Sequence, residues 1–169
     1  KTPNSLDEQT SSRHITFMER ATFTDAFDFA REIGLGISYG GETSQISAGV
    51  FQGGNGTDNE DEGITFAARG HYAFELEDNG WVHAGGSFRH RNAGDDQSDF
   101  RYRVRPPAHL SERFIDAKSI ADSDTFYGVE LAAIYGPFHV AGEYGVQDAN
   151  LSSPAAGQKD PSFKGYYLE

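Results

Sequence analysis

The stretch Phe100-Arg101-Tyr102-Arg103-Val104-Arg105 sets three arginines at alternate positions. On an extended backbone they share one face at a spacing of about 6.6 Å, with Phe100, Tyr102 and Val104 opposite. Guanidinium keeps its charge at any relevant pH and meets an oxyanion through two parallel N–H donors. Such a row can hand phosphate, sulfate or a carboxylate from one site to the next; the plainer alternative is a solvated basic strand facing acidic loops. Other chemistry-bearing patterns are weaker. Gly36-Ile37-Ser38-Tyr39-Gly40 matches the hydrolase nucleophile elbow, but that motif needs a strand-to-helix turn and Ser38 falls inside an alternating strand. Asp58, Glu60 and Glu62 lack the distant bidentate glutamate of a calcium loop. His71 and His83 have no third ligand and make no zinc site. Glu130 and Glu143 should sit opposite each other across a turn, where pairing with inward arginines is expected rather than acid–base catalysis. The expectation is a non-enzymatic protein with no metal and no cofactor.

Composition narrows the setting of that row. With 169 residues and 37% hydrophobic residues, the chain is poor in material for a generous buried core, a limit that a membrane barrel escapes because lipid covers its apolar face. The net charge of -12 argues against a nucleic-acid partner. Acids gather in turn-rich stretches such as Asp58 to Glu62 and Asp95 to Asp99, whereas Arg69, Arg89 and Arg91 lie within patterned segments. There is no cysteine, which removes disulfides and thiolate chemistry. No run approaches the roughly 18 apolar residues of a membrane helix, and nothing at the start resembles a signal peptide, so an exported protein would need sequence upstream of Lys1.

Period-2 alternation over about ten residues, the length a tilted strand needs to cross a bilayer, is the dominant pattern. From Ile64 to Leu76 the even positions are apolar or small, while Thr65, Arg69, His71 and Glu75 occupy the odd ones. After the turn Glu77-Asp78-Asn79-Gly80, the pattern returns with His83, Ser87, Arg89 and Arg91 on the polar face. Arg69, His71, His83, Arg89 and Arg91 are therefore candidate pore-lining residues. Further alternation marks strands near 31–40, 46–50, 127–135 and 138–146, and a shorter one from Phe163. Short turns alternate with long connections, as in outer-membrane barrels. Counting strand directions makes 92–124 one long excursion that carries the arginine row, and 1–30 a second long outer loop. Residues 31–91 then hold four strands and 125–169 three, the last cut short. About seven strands leave open edges, so the expected class is all-β, a fragment of an antiparallel transmembrane β-barrel.

The run Ser5-Leu6-Asp7-Glu8-Gln9-Thr10-Ser11-Ser12-Arg13-His14-Ile15-Thr16-Phe17-Met18-Glu19-Arg20-Ala21 resembles the hallmark of the phosphate-selective porin O and P family. Arg101 to Pro106, Tyr127 to Phe138 and Gly165-Tyr166-Tyr167-Leu168-Glu169 extend the resemblance along the whole chain in order. The resemblance implies a homotrimer of barrels with about 16 strands in the bacterial outer membrane, its long loops folded into the lumen. It implies an anion site at Ser11, Ser12 and Arg20 on the first inward loop and an arginine ladder at Arg101, Arg103 and Arg105. The implied cargo is small inorganic anions, with phosphate and polyphosphate as candidates. Two positions depart from the pattern: Glu8 stands where phosphate-specific members carry lysine, and His109 where the ladder continues with arginine. A carboxylate at a constriction repels phosphate, so anion passage is the firmer expectation. The alternative is a soluble β-barrel or sandwich that binds an acidic ligand and buries its apolar face.

Overall fold

A computed structural model describes residues 1–29, 31–53, 63–76, 79–94, 100–106, 108 and 110–169. The acidic stretches 58–62 and 95–99, Glu77, Asp78 and His109, all singled out above, lie outside the described residues. Among the described residues there are two short helices, α1 (Leu6–Gln9) and α2 (Thr22–Ala26), and eight strands. The strands are β1 (Gly34–Gly40), β2 (Ser44–Gly53), β3 (Gly63–Leu76), β4 (Gly80–Asn92), β5 (Phe100–Val104), β6 (Ile115–Tyr135), β7 (Phe138–Leu151) and β8 (Ser162–Leu168). They form one antiparallel sheet in the order β1-β2-β3-β4-β6-β7-β8, with β5 paired to β6 beside that path. The all-β antiparallel class expected from the alternation is the one observed, and the sheet is open.

Along the path of the sheet each strand lies beside the next, and the short turns β1–β2 and β6–β7 leave those strands no other place to go. The β6–β7 turn shows how local residues impose this. Tyr135 pairs with Phe138, so Gly136 and Pro137 are its two central residues. Gly136 has φ +56°, which a side chain would resist, and proline holds the next residue at negative φ, the combination of a type II′ hairpin turn.

The alternation sorts side chains onto two faces with opposite character. On the outer face Leu35, Ile37, Tyr39, Val129, Leu131, Tyr166 and Leu168 are all exposed; Leu35 is 83% and Leu168 76% accessible. The inner face instead carries buried polar residues, among them Thr65, Arg69, Arg89, Arg91, Asp124, Glu130, Glu143 and Gln147. A soluble sandwich would show the reverse arrangement. Lipid is the solvent that favours the observed one, since only acyl chains gain from contact with so broad an apolar surface.

Residues 1–29 lie against the inner face and form the nearest thing to a core. Phe23 of α2 and Phe27, its C-cap, pack on Phe126 of β6, with ring centroids 6.2 and 5.2 Å away, and Phe29 and Tyr167 join them. Burying each ring stabilises the docked segment by roughly 1.5–3 kcal/mol. The inner wall is thinned to admit them: a Cβ on Gly145 would stand 2.5 Å from the Phe126 ring and 3.1 Å from Phe23.

The region after β4 differs from the expected loop over 92–124. β6 is continuous from Ile115, and beyond the last β4 pair, Asn92 with Ser123, its free edge is taken by β5. The ribbon is irregular. β-Bulges interrupt it between Ala121 and Ser123 and on either side of Arg101, and Lys118 has φ +64°. A bulge inserts a residue and flips side-chain parity, which hid this strand from a strict period-2 reading.

Candidate functional site

The docked segment is held from the wall. Ser5 caps α1, its hydroxyl accepting from Glu8 N, and the Glu143 carboxylate of β7 accepts from Ser5 Oγ and from the main-chain N–H groups of Leu6 and Asp7. Asp7 in turn accepts from Ala21 N at 3.0 Å, and the Arg20 guanidinium donates to the Asp7 and Thr10 carbonyls. These bonds close the base of an excursion over residues 8–20 and hold Ser11, Ser12 and Arg20 at the sheet's inner side. Burial pushes the Asp7 carboxyl above its ordinary range, against the opposing pull of Ala21 N and Arg20.

Two clefts adjoin this excursion. One, of about 520 Å³, is lined by Lys1, Glu8, Gln9, Ser11, Ser12, Arg20 and Arg31. The other, of about 340 Å³, lies between the excursion and the end of β5, where Ser12, Arg20 and Arg105 meet Ile15, Met18 and the two acids Glu19 and Asp25. Ser12 and Arg20 line both. Glu8, the residue that departs from the phosphate-specific pattern, is buried beside Lys1 Nζ at 3.4 Å and Arg20 Nε at 3.5 Å. Its charge is matched locally by two cations.

The arginine row occupies β5 and the residue after it. Tyr102 and Val104 are buried; the Tyr102 hydroxyl donates to Asp124 at 2.9 Å, and its ring packs on Phe163 with centroids 4.7 Å apart. That face of β5 is turned to the inner wall, leaving Arg101 and Arg103 exposed on the opposite one. Burial raises the Tyr102 hydroxyl's pKa, and the Asp124 carboxylate adds to the effect. Arg101 is not a free cation: its Nε donates to Asp116 Oδ1 at 2.9 Å and a second bond joins the same carboxylate, which the hydrogen bond holds below its ordinary range. Arg105 is brought to the Ser12–Arg20 cleft, whereas Arg101 and Arg103 line neither cleft. Arg113 joins the group, donating to the Arg103 carbonyl at 3.4 Å and approaching Asp25 of α2 at 3.5 Å. Partial burial and then the positive charges of Arg103, Arg105 and Arg101 lower its pKa.

The wall residues named as pore lining are on the inner face, but their charges are enclosed. Arg69 grips Glu130 with two bonds of 3.1 and 2.5 Å, and His83 Nε2 lies 2.7 Å from the same carboxylate. The His71 ring lies 4.8 Å from that of His83, and its Nδ1 is 3.3 Å from Arg69 Nη1. Arg89 is fully buried and donates to the carbonyls of Phe27 and Asp28, the last residues of the α2 turn. Arg91 makes paired bonds of 3.0 and 2.6 Å to Asp124 and a third to Asp28.

Glu130 and Glu143 are cross-strand partners, as their spacing predicts. Glu130 meets Arg69, but Glu143 meets the start of α1 instead of an arginine. That role had a trace in the sequence, since Ser5 and Glu8 stand at capping-box spacing and mark a helix start. Arg31 and Arg113 carried no comparable signal. Among the described residues no group of three His, Cys, Asp or Glu side chains could hold a metal ion.

Comparison with known proteins agrees with the antiparallel β-sheet. The model of the family described as phosphate-selective porin O and P matches residues 1–169. A Caulobacter vibrioides protein named "Uncharacterized protein" is 31% identical over 178 residues, covering 98% of this chain and 35% of its own length. This chain thus spans about a third of that relative. No solved structure matches. With its entire length matched, its outer face apolar and its inner face polar, the chain belongs to the phosphate-selective porin O and P family.

Proposed function

We propose that the full-length protein is a passive channel for small anions, trimeric in the outer membrane, in which residues 1–29 and the β5 ribbon narrow the lumen. The observation that carries this reading is the convergence of Ser12 and Arg20 with Arg105, from segments about 90 residues apart, on one cleft at the inner side. Arg103, exposed on the β5 face turned away from the wall, draws anions toward it, and Arg101 adds only the charge that its Asp116 partner leaves unmatched. Arg105, Arg20 and the Ser11 and Ser12 hydroxyls then replace part of the hydration shell. Net flux follows the concentration gradient.

Glu8 shapes the choice of anion. Its pairing with Lys1 and Arg20 occupies positive charge that would otherwise serve a dianion, which favours general anion selectivity over tight phosphate binding. A planar-bilayer recording of the full-length protein under a salt gradient tests both points. The reversal potential should show anion preference, and Arg103→Ala should reduce the anion-to-cation permeability ratio several-fold (about 3-fold or more). A cation preference untouched by Arg103→Ala overturns the mechanism. Chloride current blocked by micromolar phosphate would establish a dedicated phosphate site; block only at millimolar levels or above supports the broader selectivity.

A further inference from the structure

Glu143 stands directly across β6 and β7 from Glu130, yet the two carboxylates have different company. Glu130 answers an arginine of the wall. Glu143, 6% exposed, is surrounded by donors that come mainly from the docked segment: Ser5 Oγ at 2.9 Å, Leu6 N at 3.0 Å and Asp7 N at 2.8 Å. The Tyr167 hydroxyl of β8 adds a fourth at 2.8 Å. Two N–H groups that the first turn of α1 cannot pair internally thus end on a carboxylate rooted in the barrel wall.

The excursion that bears Ser11, Ser12 and Arg20 depends on this attachment. At its base, Asp7 and Arg20 tie residues 7, 10 and 21 together, but those bonds are internal to the segment. The aromatic cluster anchors the segment from Ala21 onward. Near the tip, Thr16 Oγ1 lies 3.2 Å from His139 Nε2 in an exposed contact that water can replace. Glu143 thus supplies a buried polar tie between the start of the segment and the sheet.

We propose that Glu143 is a positioning residue of the constriction: a wall carboxylate that grips the main chain at Leu6 and Asp7 and so sets how far the Ser11, Ser12 and Arg20 excursion stands into the lumen. The effect on conduction rests on the channel proposed above; the grip itself does not. Glu143 touches no permeating ion. Its loss should widen the passage and blunt discrimination together, leaving the sheet intact.

The test uses the full-length protein and its Glu143→Ala and Tyr167→Phe variants. Hydrogen exchange of the peptide covering residues 5–10 should quicken about tenfold or more in Glu143→Ala, and less in Tyr167→Phe, which removes one donor of four. In bilayers Glu143→Ala should raise single-channel conductance about twofold or more and move the anion-to-cation permeability ratio toward one, while resistance of the folded barrel to SDS stays that of the wild type. If Glu143→Ala does not fold, Glu143→Gln, which keeps the volume and one acceptor oxygen, carries the same comparison. Unchanged exchange overturns the grip, and faster exchange with unchanged conductance and selectivity overturns the positioning role. A wild-type protein without anion preference overturns the channel proposal instead, and the exchange comparison still decides the grip.

Discussion

The arginines of the wall and those of β5 obey the same period-2 rule and end in opposite environments. Arg69, Arg89 and Arg91 project from long strands into a space already filled by carboxylates, helix-end carbonyls and phenyl rings. Arg101 and Arg103 project from a short strand whose other face uses up the wall, so theirs remains exposed. Alternation decides which side of a strand a charge occupies. What meets the charge there decides whether it holds the protein together or is available to a passing ion.

The largest effect should come from splitting a buried pair. Removing Arg91 leaves Asp124 buried among Tyr102, Gln147 and Arg89 without its bidentate partner, a loss of about 3–5 kcal/mol. Urea unfolding of Arg91→Met in detergent measures it, and a change under ~1 kcal/mol would erase the contrast with Arg103→Ala, expected within about 0.5 kcal/mol of wild type. Arg89→Ala should cost less, about 1.5–3 kcal/mol, because it frees two carbonyls and the Gln147 amide oxygen rather than a charge. Its signature is local: faster hydrogen exchange over residues 21–29 with β3 and β4 unchanged.

The smallest effect sharpens the contrast from the β5 side. Arg101 is already held by Asp116, so Asp116→Asn should free a cation and raise the anion-to-cation permeability ratio at neutral pH, by less than Arg103→Ala lowers it. Asp116 lies on the part of β6 beyond its pairing with β4, and its carboxyl is held below the usual aspartate range, first by the Arg101 hydrogen bond. A depressed acid contributes its stabilisation fully above the ordinary aspartate value and loses it as pH falls through its own lower one. The Arg101–Asp116 pair should therefore persist at about pH 4, and wild type and Asp116→Asn should converge only in stronger acid. Convergence at pH 5, followed by reversal potential, would contradict the pairing.

Much of the strand architecture was legible because period-2 patterning survives translation into register. Ile64 to Leu76 became β3, and the residues on its polar side face inward. β6 was legible only from about Tyr127, since the bulge at Ala121–Ser123 breaks the strict alternation that Val129 and Leu131 follow. Ser11, Ser12 and Arg20 were nameable as candidates by resemblance. The cleft that Ser12 and Arg20 share with Arg105 and the hydrogen bonds from Ser5, Leu6 and Asp7 to Glu143 were not, because each joins residues far apart in the chain.

Local geometry and composition fix the two faces of the sheet, the neighbour-to-neighbour strand order and the absence of thiol chemistry. Which charges are spent within the protein is settled by the fold in three dimensions. Arg91 finds Asp124 33 residues away, Arg69 finds Glu130 61 away, and Ser5 finds Glu143 138 away. Partners at those separations are chosen by how the sheet curves and what docks on it, and no spacing rule along the chain encodes that choice.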